Sequence, residues 1–470
     1  MPSATPYSYN PLDRSTQSIR LIEILPGQSQ EIACKLHAHE LGPDATCPPF
    51  TALSYTWGPP EPTTAIVVDD QNLSVRENLI LALSSYRNKV NDGSFQGLLW
   101  IDAISINQED TLERSHQVNM MGEIFSRADT VLIWLGPEQD NSSSILQYLK
   151  AMPSLVWEPG QDLQTAPKLA RLPHKREYGD LKFVIPKPEF TIEDMFQELF
   201  EKELNEAFLA LFHRDYWKRM WIVQEVLLAR KLSILCGDEV CEWSLLVSIA
   251  SELDYLGQFL RPNGLRVKNA SPNPVSRWKF KDLQAQTGAS RAFFILKDGD
   301  DSKRLSQTWQ LSQLIQIWKQ QECADPRDRV YALLGLAKDS ISADYDKSLE
   351  QVFCDAVVTQ LYQVSDTQYA SKLSDLDYSN FVAALTNGLY GAEPSPETLE
   401  ELSRISGLDV ADELVYFRDF TIMPPWPTEE EEAAEEEEPV EIFYGSAEEF
   451  VQSEREWQEE REALPSILLE

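Results

Sequence analysis

The stretch LLWIDAISINQEDTLERSHQVNMMGEIFSRADTVLIWLG, residues 98–136, decides the fold class. It opens on one continuous apolar run, LLWIDAISI, and closes on another, TVLIWLG. Between them TLERSHQVNMMGEIFSRA places Val118, Met121, Ile124 and Phe125 near the i, i+3, i+4 spacing of a single helical face. Short apolar runs without alternation suit strands covered on both sides, as in a parallel sheet. The stretch therefore predicts strand, helix, strand, with the helix on one face of the sheet.

Working outward, the same rhythm continues. TQSIRLIEIL (16–25) alternates as a strand does, and PFTALSYTWG (49–58) is a buried strand that stops hard at Gly58, Pro59 and Pro60. TAIVVDDQNLSV (64–75) predicts a hairpin turning at Asp69 to Asn72. RENLILALSSYRN (76–88) predicts an amphipathic helix with Leu79, Leu83 and Tyr86 inward. After residue 136, SSSILQYLKAM (142–152) predicts a helix and KLSILCG (231–237) a fourth strand. Alternating strands and helices at this spacing predict an α/β domain, a parallel sheet flanked by helices. Residues 1–49 read as an N-terminal extension, and 50–235 as the α/β domain with an insertion at about 152–190. Residues 236–427 read as a mainly helical region and 428–470 as an acidic disordered tail.

Composition narrows the class. The 470 residues are 43% hydrophobic and 10% aromatic, which fits a folded globular chain. No stretch approaches the ~20 apolar residues of a membrane span. MPSATPYSYNPLDRSTQSIR at the start lacks the apolar segment of a secretory signal, so a cytoplasmic location is expected. Six Cys without a CxxC pair and five His predict no metal site. Cys236 and Cys241 flank GDEV, placed to meet across a hairpin or to remain two buried thiols. The net charge of −35 is uneven, since residues 429–470 hold 17 Glu against Arg455 and Arg461. Such a like-charge block stays solvated, and nothing in it favours nucleic acid, which needs a basic face.

Phosphate loops, dinucleotide fingerprints, nucleophile elbows and zincin motifs are absent, so no cofactor is implied. Three polar clusters remain. Ser54-Tyr55-Thr56-Trp57-Gly58 lies at the carboxyl end of a predicted strand, where open parallel sheets bind ligands. Tyr55 and Trp57 beside Gly58 suit stacking on a flat ring, or else they pack the core. Asp102 follows the apolar LLWI directly, an expensive place for an acid unless it is paired or functional, with Arg114 or Arg219 as structural partners. Asn107, Gln108, Glu109 and Asp110 fill the loop after it, with Asp110 or Thr111 placed to cap the next helix. In RDYWKRMWIVQEVLLAR (214–230), read as one helix, Trp217, Trp221, Glu225 and Leu228 share a stripe. Glu225 beneath that stripe is either a site carboxylate or half of a buried ion pair. The three clusters are expected to converge at one edge of the sheet.

ALSYTWG, the 98–136 stretch and RDYWKRMWIVQEVLLA, in that order and at compatible spacing, resemble the fungal heterokaryon-incompatibility (HET) domain. ADPRDRVYALLGLA and ADYDKSLEQVF resemble the segment that commonly follows it. Ser105 stands where the family usually has Cys, and Tyr216 where it often has Trp. The resemblance implies regulated cell death on non-self recognition in filamentous fungi. HET domains are distantly similar to Toll/interleukin-receptor (TIR) domains, which implies a flavodoxin-like sheet. Some TIR domains cleave NAD with a Glu in a Trp-Cys-x-x-Glu motif, and here Trp221 and Glu225 keep that spacing with Ile222 in the Cys position. By resemblance Glu225 becomes the candidate catalytic carboxylate with Asp102 beside it. Tyr55, Trp57, Gly58, Asn107, Gln108 and Trp221 become candidate substrate contacts, with NAD as substrate rather than cofactor. The rival expectation is a non-enzymatic signalling module that self-associates through the HET domain or binds a protein partner.

Overall fold

The computed structural model describes residues 5–27, 31–42, 47–151, 183–185, 204–247, 249–250, 266–268, 290–292, 295–296, 309–338, 341–365, 375–391, 394–407, 409–411 and 441–444. These fall into two compact units. One comprises Met1–Gln147, Ala210–Trp243 and Ser290–Met423; the other comprises Tyr148–Leu209, Ser244–Ala289 and Pro424–Glu470. Most of the expected insertion and of the acidic tail lies outside the described residues.

The first unit is built on a nine-stranded sheet. Its strands are β1 (Ser18–Ile24), β2 (Ala33–Glu40), β3 (Phe50–Tyr55), β4 (Thr63–Val68), β5 (Gln71–Arg76), β6 (Leu98–Trp100) and β7 (Thr130–Gly136), joined by β9 (Leu232–Cys236) and β10 (Glu239–Glu242). Across the sheet they run β10-β9-β7-β3-β6-β1-β2-β4-β5. The described strands of the second unit, β8 (Phe183–Ile185), β11 (Arg266–Lys268) and β12 (Glu441–Tyr444), form a separate parallel sheet in the order β11-β12-β8. Disorder is the expectation for the acidic tail, yet Glu441–Tyr444 within it is the middle strand of that sheet.

The expectation of a parallel sheet holds only for the centre. β6, β3, β7 and β9 run parallel, as does the separate β2–β4 pair. β1 is antiparallel to both β6 and β2, β4 to β5, and β9 to β10. For β1–β2, β4–β5 and β9–β10 the cause is connection length, because short links reverse the chain whereas a parallel neighbour needs a long crossover. Asp69 and Asp70 turn β4 into β5 with φ of 47° and 62°, the left-handed pair that matches hairpin twist. Residues 1–49, read as an extension, supply β1 and β2 to this same sheet. Cys236 and Cys241 lie buried on the β9–β10 hairpin and form no disulfide.

The central strands are buried along their length, β7 from Val131 to Gly136, because helices cover the sheet. α1 (Glu77–Asn91) turns Leu79, Ala82, Leu83, Tyr86 and Arg87 inward at helical spacing. α3 (Thr111–Arg127) begins at Asp110, whose carboxylate accepts from the backbone N–H of Leu112 at 3.0 Å and Glu113 at 3.1 Å. Its buried face includes two polar residues, Glu113 and Gln117, and both are partnered by β1 or its neighbours. The remaining described helices are α2 (Asp102–Ser105), α4 (Ser142–Ala151), α5 (Asn205–Phe212), α6 (Ile222–Leu227), α7 (Leu311–Ile317), α8 (Asp328–Tyr331), α9 (Leu349–Ser365), α10 (Asp375–Tyr390) and α11 (Pro396–Ser406).

Two sequence expectations are corrected locally. LLWIDAISI is not one strand: β6 ends at Trp100 and the chain turns helical at Asp102. The Asp102 carboxylate accepts from the Ala103 N–H at 2.7 Å, and the N–H groups of Ile104 and Ser105 reach the Ile101 carbonyl at 3.0 and 2.7 Å. An apolar run alone does not separate strand from buried helix. Likewise 214–230 is not one helix. Asp215–Lys218 is a 3₁₀ turn, and the chain then extends at Arg219 to pair with Glu322 before α6 starts. Trp217 and Trp221 therefore do not stack along a helix with Glu225.

Gly335 packs where α3 and α6 approach the segment after α8. A Cβ there meets Gln224 Oε1 at 2.7 Å and the Gly122 Cα at 2.9 Å. Both neighbours are confined, one as backbone and one as a buried side chain. Gly335→Ala is expected to cost about 1–3 kcal/mol by overpacking, read as a lowered urea midpoint.

Candidate active site

Glu225 sits in α6 and is 3% exposed. α6 presents no polar face, as every residue from Ile222 to Leu227 is buried. Such a helix is held by the surrounding core, and its one carboxylate must find partners there. The Ser54 hydroxyl, one residue before the end of β3, donates a short hydrogen bond to Glu225 Oε2. The same hydroxyl lies 2.8 Å from the Tyr216 hydroxyl. Burial pushes the Glu225 carboxyl up to about 7, with Asp102 adding to the rise, while Arg219 and Ser54 oppose it.

Asp102 lies beside this group. Trp57 Nε1 donates to Asp102 Oδ2 at 2.7 Å, and the Tyr55 hydroxyl is near enough to help lower the pKa of that carboxylate. Burial raises the Asp102 pKa against the pull of Arg219 and these donors. Tyr55 and Tyr216 are pushed well above the ordinary phenol value, first by burial and then by Asp102 and Glu225 respectively, so both remain protonated donors. Arg219 is half-buried and donates a short hydrogen bond to the Tyr55 carbonyl. Its charge reaches Asp102 and Glu225 through space, yet among the described residues no ion pair closes on either carboxylate.

The strand end is held from α1. Asn78, in its first turn, donates from Nδ2 to the Thr56 carbonyl and accepts at Oδ1 from Trp134 Nε1 at 3.0 Å. Arg76 donates to the Gly58 carbonyl at 2.8 Å, and its guanidinium lies 4.9 Å from the centre of the Trp57 ring. Gly58 has φ of 73°, which explains Gly there.

The structure thus places two hydrogen-bonded groups near the carboxyl end of β3, Ser54 with Glu225 and Tyr216, and Trp57 with Asp102, with Tyr55 between Ser54 and Trp57 in the chain. Gln108 joins the second group by donating to the Asp102 carbonyl at 2.9 Å. Asn107 is tied elsewhere: its N–H donates to Glu113 Oε1 at 2.7 Å and its side chain accepts from Glu109 N at 3.2 Å. Trp221 turns the other way, with Nε1 donating to Asp328 Oδ2 at 3.0 Å. Arg114, weighed as a partner of Asp102, instead lies over the Tyr345 ring at 4.4 Å. Asn78, Arg76 and the pairing of Ser54 with Tyr216 escaped sequence reading.

The site is thus a mixed α/β sheet with a buried carboxylate, Glu225, and a half-buried one, Asp102, near the carboxyl end of β3, neither closing an ion pair among the described residues. Residues 50–225 match the family described as Heterokaryon incompatibility protein (HET). The chain is similar to heterokaryon incompatibility protein 6, OR allele, of Neurospora crassa, 26% identical over 381 residues, 74% of this chain and 52% of the relative. It spans about half the length of that relative. No solved structure matches it significantly. Among the described residues, no helix is long and apolar enough to cross a membrane.

Proposed function

We propose that this HET-domain chain acts in fungal heterokaryon incompatibility, and that its HET domain cleaves the nicotinamide–ribose bond of NAD at Glu225. The carrying observation is that Glu225 is buried at a strand end without an ion-pair partner among the described residues. A buried carboxylate of that kind costs stability and gathers at functional sites. The spatial order of the parallel strands, β6-β3-β7-β9, is 2-1-3-4 in chain order, which supports a flavodoxin-like and TIR-like reading. In that order ligands bind where the first and third strands diverge, here at the carboxyl ends of β3 and β7.

In the proposed reaction the C–N bond breaks, its electron pair leaves with neutral nicotinamide, and positive charge develops on the ribose. The Glu225 carboxylate stabilises that charge, as carboxylates do in glycoside hydrolysis. Water then adds to the ribosyl carbon and releases one proton. Arg219 and Ser54 favour the charged form, since both lower the pKa against the larger rise that burial causes.

The second reading is a non-enzymatic module that self-associates or binds a protein partner. The 3% exposure of Glu225 favours it, because so covered a carboxylate has little room to meet a ligand. Incubating the full chain with NAD, dilute and crowded, and measuring free nicotinamide separates the two. Release under either condition is the expected result, and none under both overturns the enzymatic reading.

A further inference from the structure

The HET match ends at Glu225, but the segment leading to Glu225, from Trp217 to Gln224, is held by contacts from residues 321–345. Met220 N–H donates to the Glu322 carbonyl at 2.7 Å, and Glu322 N–H returns a bond to the Lys218 carbonyl. Gln321 Nε2 caps the carbonyls of Trp217 at 2.9 Å and Arg219 at 3.1 Å. These bonds hold the extended step at Arg219 that interrupts 214–230, from which Arg219 reaches the Tyr55 carbonyl.

One turn further on, Trp221 stands at the start of α6, and its indole N–H is taken by Asp328 Oδ2 at 3.0 Å. The other oxygen of Asp328 accepts from the Tyr345 hydroxyl at 2.7 Å. The guanidinium groups of Arg114 at 4.4 Å and of Arg327 at 5.2 Å lie over the Tyr345 ring, so α3 and the N-cap residue of α8 both hold it. Gly335 packs against Gln224, the neighbour of Glu225. α6 has only six residues, too short to hold itself, so its position follows its contacts.

We infer that Asp328 is a positioning residue for Glu225: seated on Tyr345, it holds Trp221 and thereby sets where α6 places the Glu225 carboxylate beneath Ser54. This rests on the reading of Glu225 as the reacting carboxylate, but its test needs no turnover. The readout is the titration midpoint of Glu225, followed by infrared difference spectroscopy of its carboxyl and assigned by comparison with Glu225→Gln. That midpoint reports how dry the carboxyl is and how close Arg219, Asp102, Ser54 and Tyr216 stand.

Asp328→Ala removes both bonds, lets α6 shift and water enter, and is expected to lower the Glu225 midpoint by about one unit or more. Asp328→Asn keeps an acceptor for Trp221 and is expected to retain the wild-type midpoint. Trp221→Phe keeps the ring, loses only the indole donor, and is expected to act like Asp328→Ala. A folded Asp328→Ala protein with an unmoved midpoint overturns the inference. Should that variant fail to fold, an unmoved midpoint in Trp221→Phe overturns it instead. Where wild type releases nicotinamide, the same two variants should lose about tenfold in kcat with KM little changed, and Asp328→Asn should not.

Discussion

Replacing Glu225 by Gln is expected to leave the protein folded and to lower nicotinamide release by about 10²–10³. The amide keeps the shape and can still accept from Ser54, but it cannot balance positive charge on the ribose. The opposite outcome belongs to an ion-pair role. Stranding a buried partner costs roughly 3–5 kcal/mol, and the protein then unfolds early. The absence of a closed ion pair on Glu225 among the described residues favours the first result. Thermal unfolding and nicotinamide release, measured on one preparation, decide between them. A well-folded variant that cleaves NAD at the wild-type rate excludes catalysis by Glu225.

The same substitution carries a pH signature. The Glu225 pKa is raised on folding from an ordinary 4.5 to about 7. The folded state therefore favours the protonated form. Its contribution to stability is complete below the unfolded value and is lost as pH rises through about 7, by roughly 3 kcal/mol in all. Wild-type stability should fall across that window, and Glu225→Gln should flatten the fall. The raised Asp102 adds a slope of the same sign that the substitution leaves in place. Activity runs the other way: kcat/KM should climb as the carboxylate forms and level off above about 7.

The second large effect is expected at Arg20 and Glu113, both 3% exposed. Arg20 on β1 donates to both oxygens of Glu113 on α3, at 2.6 and 3.0 Å, and also to the carbonyls of Ser105 at 2.9 Å and Asn10 at 2.6 Å. Glu113 accepts in turn from Asn107 N–H at 2.7 Å. This paired fork fastens the loop between Asp102 and α3 to the sheet. Glu113→Gln leaves Arg20 buried without a counter-charge and should cost roughly 3–5 kcal/mol in urea unfolding. A double replacement, Arg20→Met with Glu113→Leu, should recover much of that loss, because no charge is then stranded. A loss below about 1 kcal/mol in the single variant would show that water enters and solvates Arg20.

Much of the architecture was legible because it is written in local period. The runs at 50–55, 130–136 and 232–236, the helix at 111–127 and its Asp110 cap all follow from residues close in sequence. β2 was missed because ACKLHAHE is too polar to read as a buried strand, and most of its residues are indeed not buried. The helical stripe through Trp217, Trp221 and Glu225 failed for a different reason: nothing nearby in sequence shows that Glu322 pulls residues 218–220 out of helical register.

The sequence by itself determined the class of fold, the clustering of chemistry at Ser54–Gly58, Asp102 and Glu225, and a lasting concentration of negative charge in residues 429–470. Tertiary structure alone decided that β1 runs antiparallel to β2 and β6, that Ser54 meets Glu225 and Tyr216, and that Trp221 turns to Asp328. Period and capping act within a few residues and so leave their mark on the chain. The bond from Ser54 to Glu225 spans 171 positions and that from Trp221 to Asp328 spans 107. Contacts at that range exist only once burial has brought distant strand and helix ends to the same edge of the sheet.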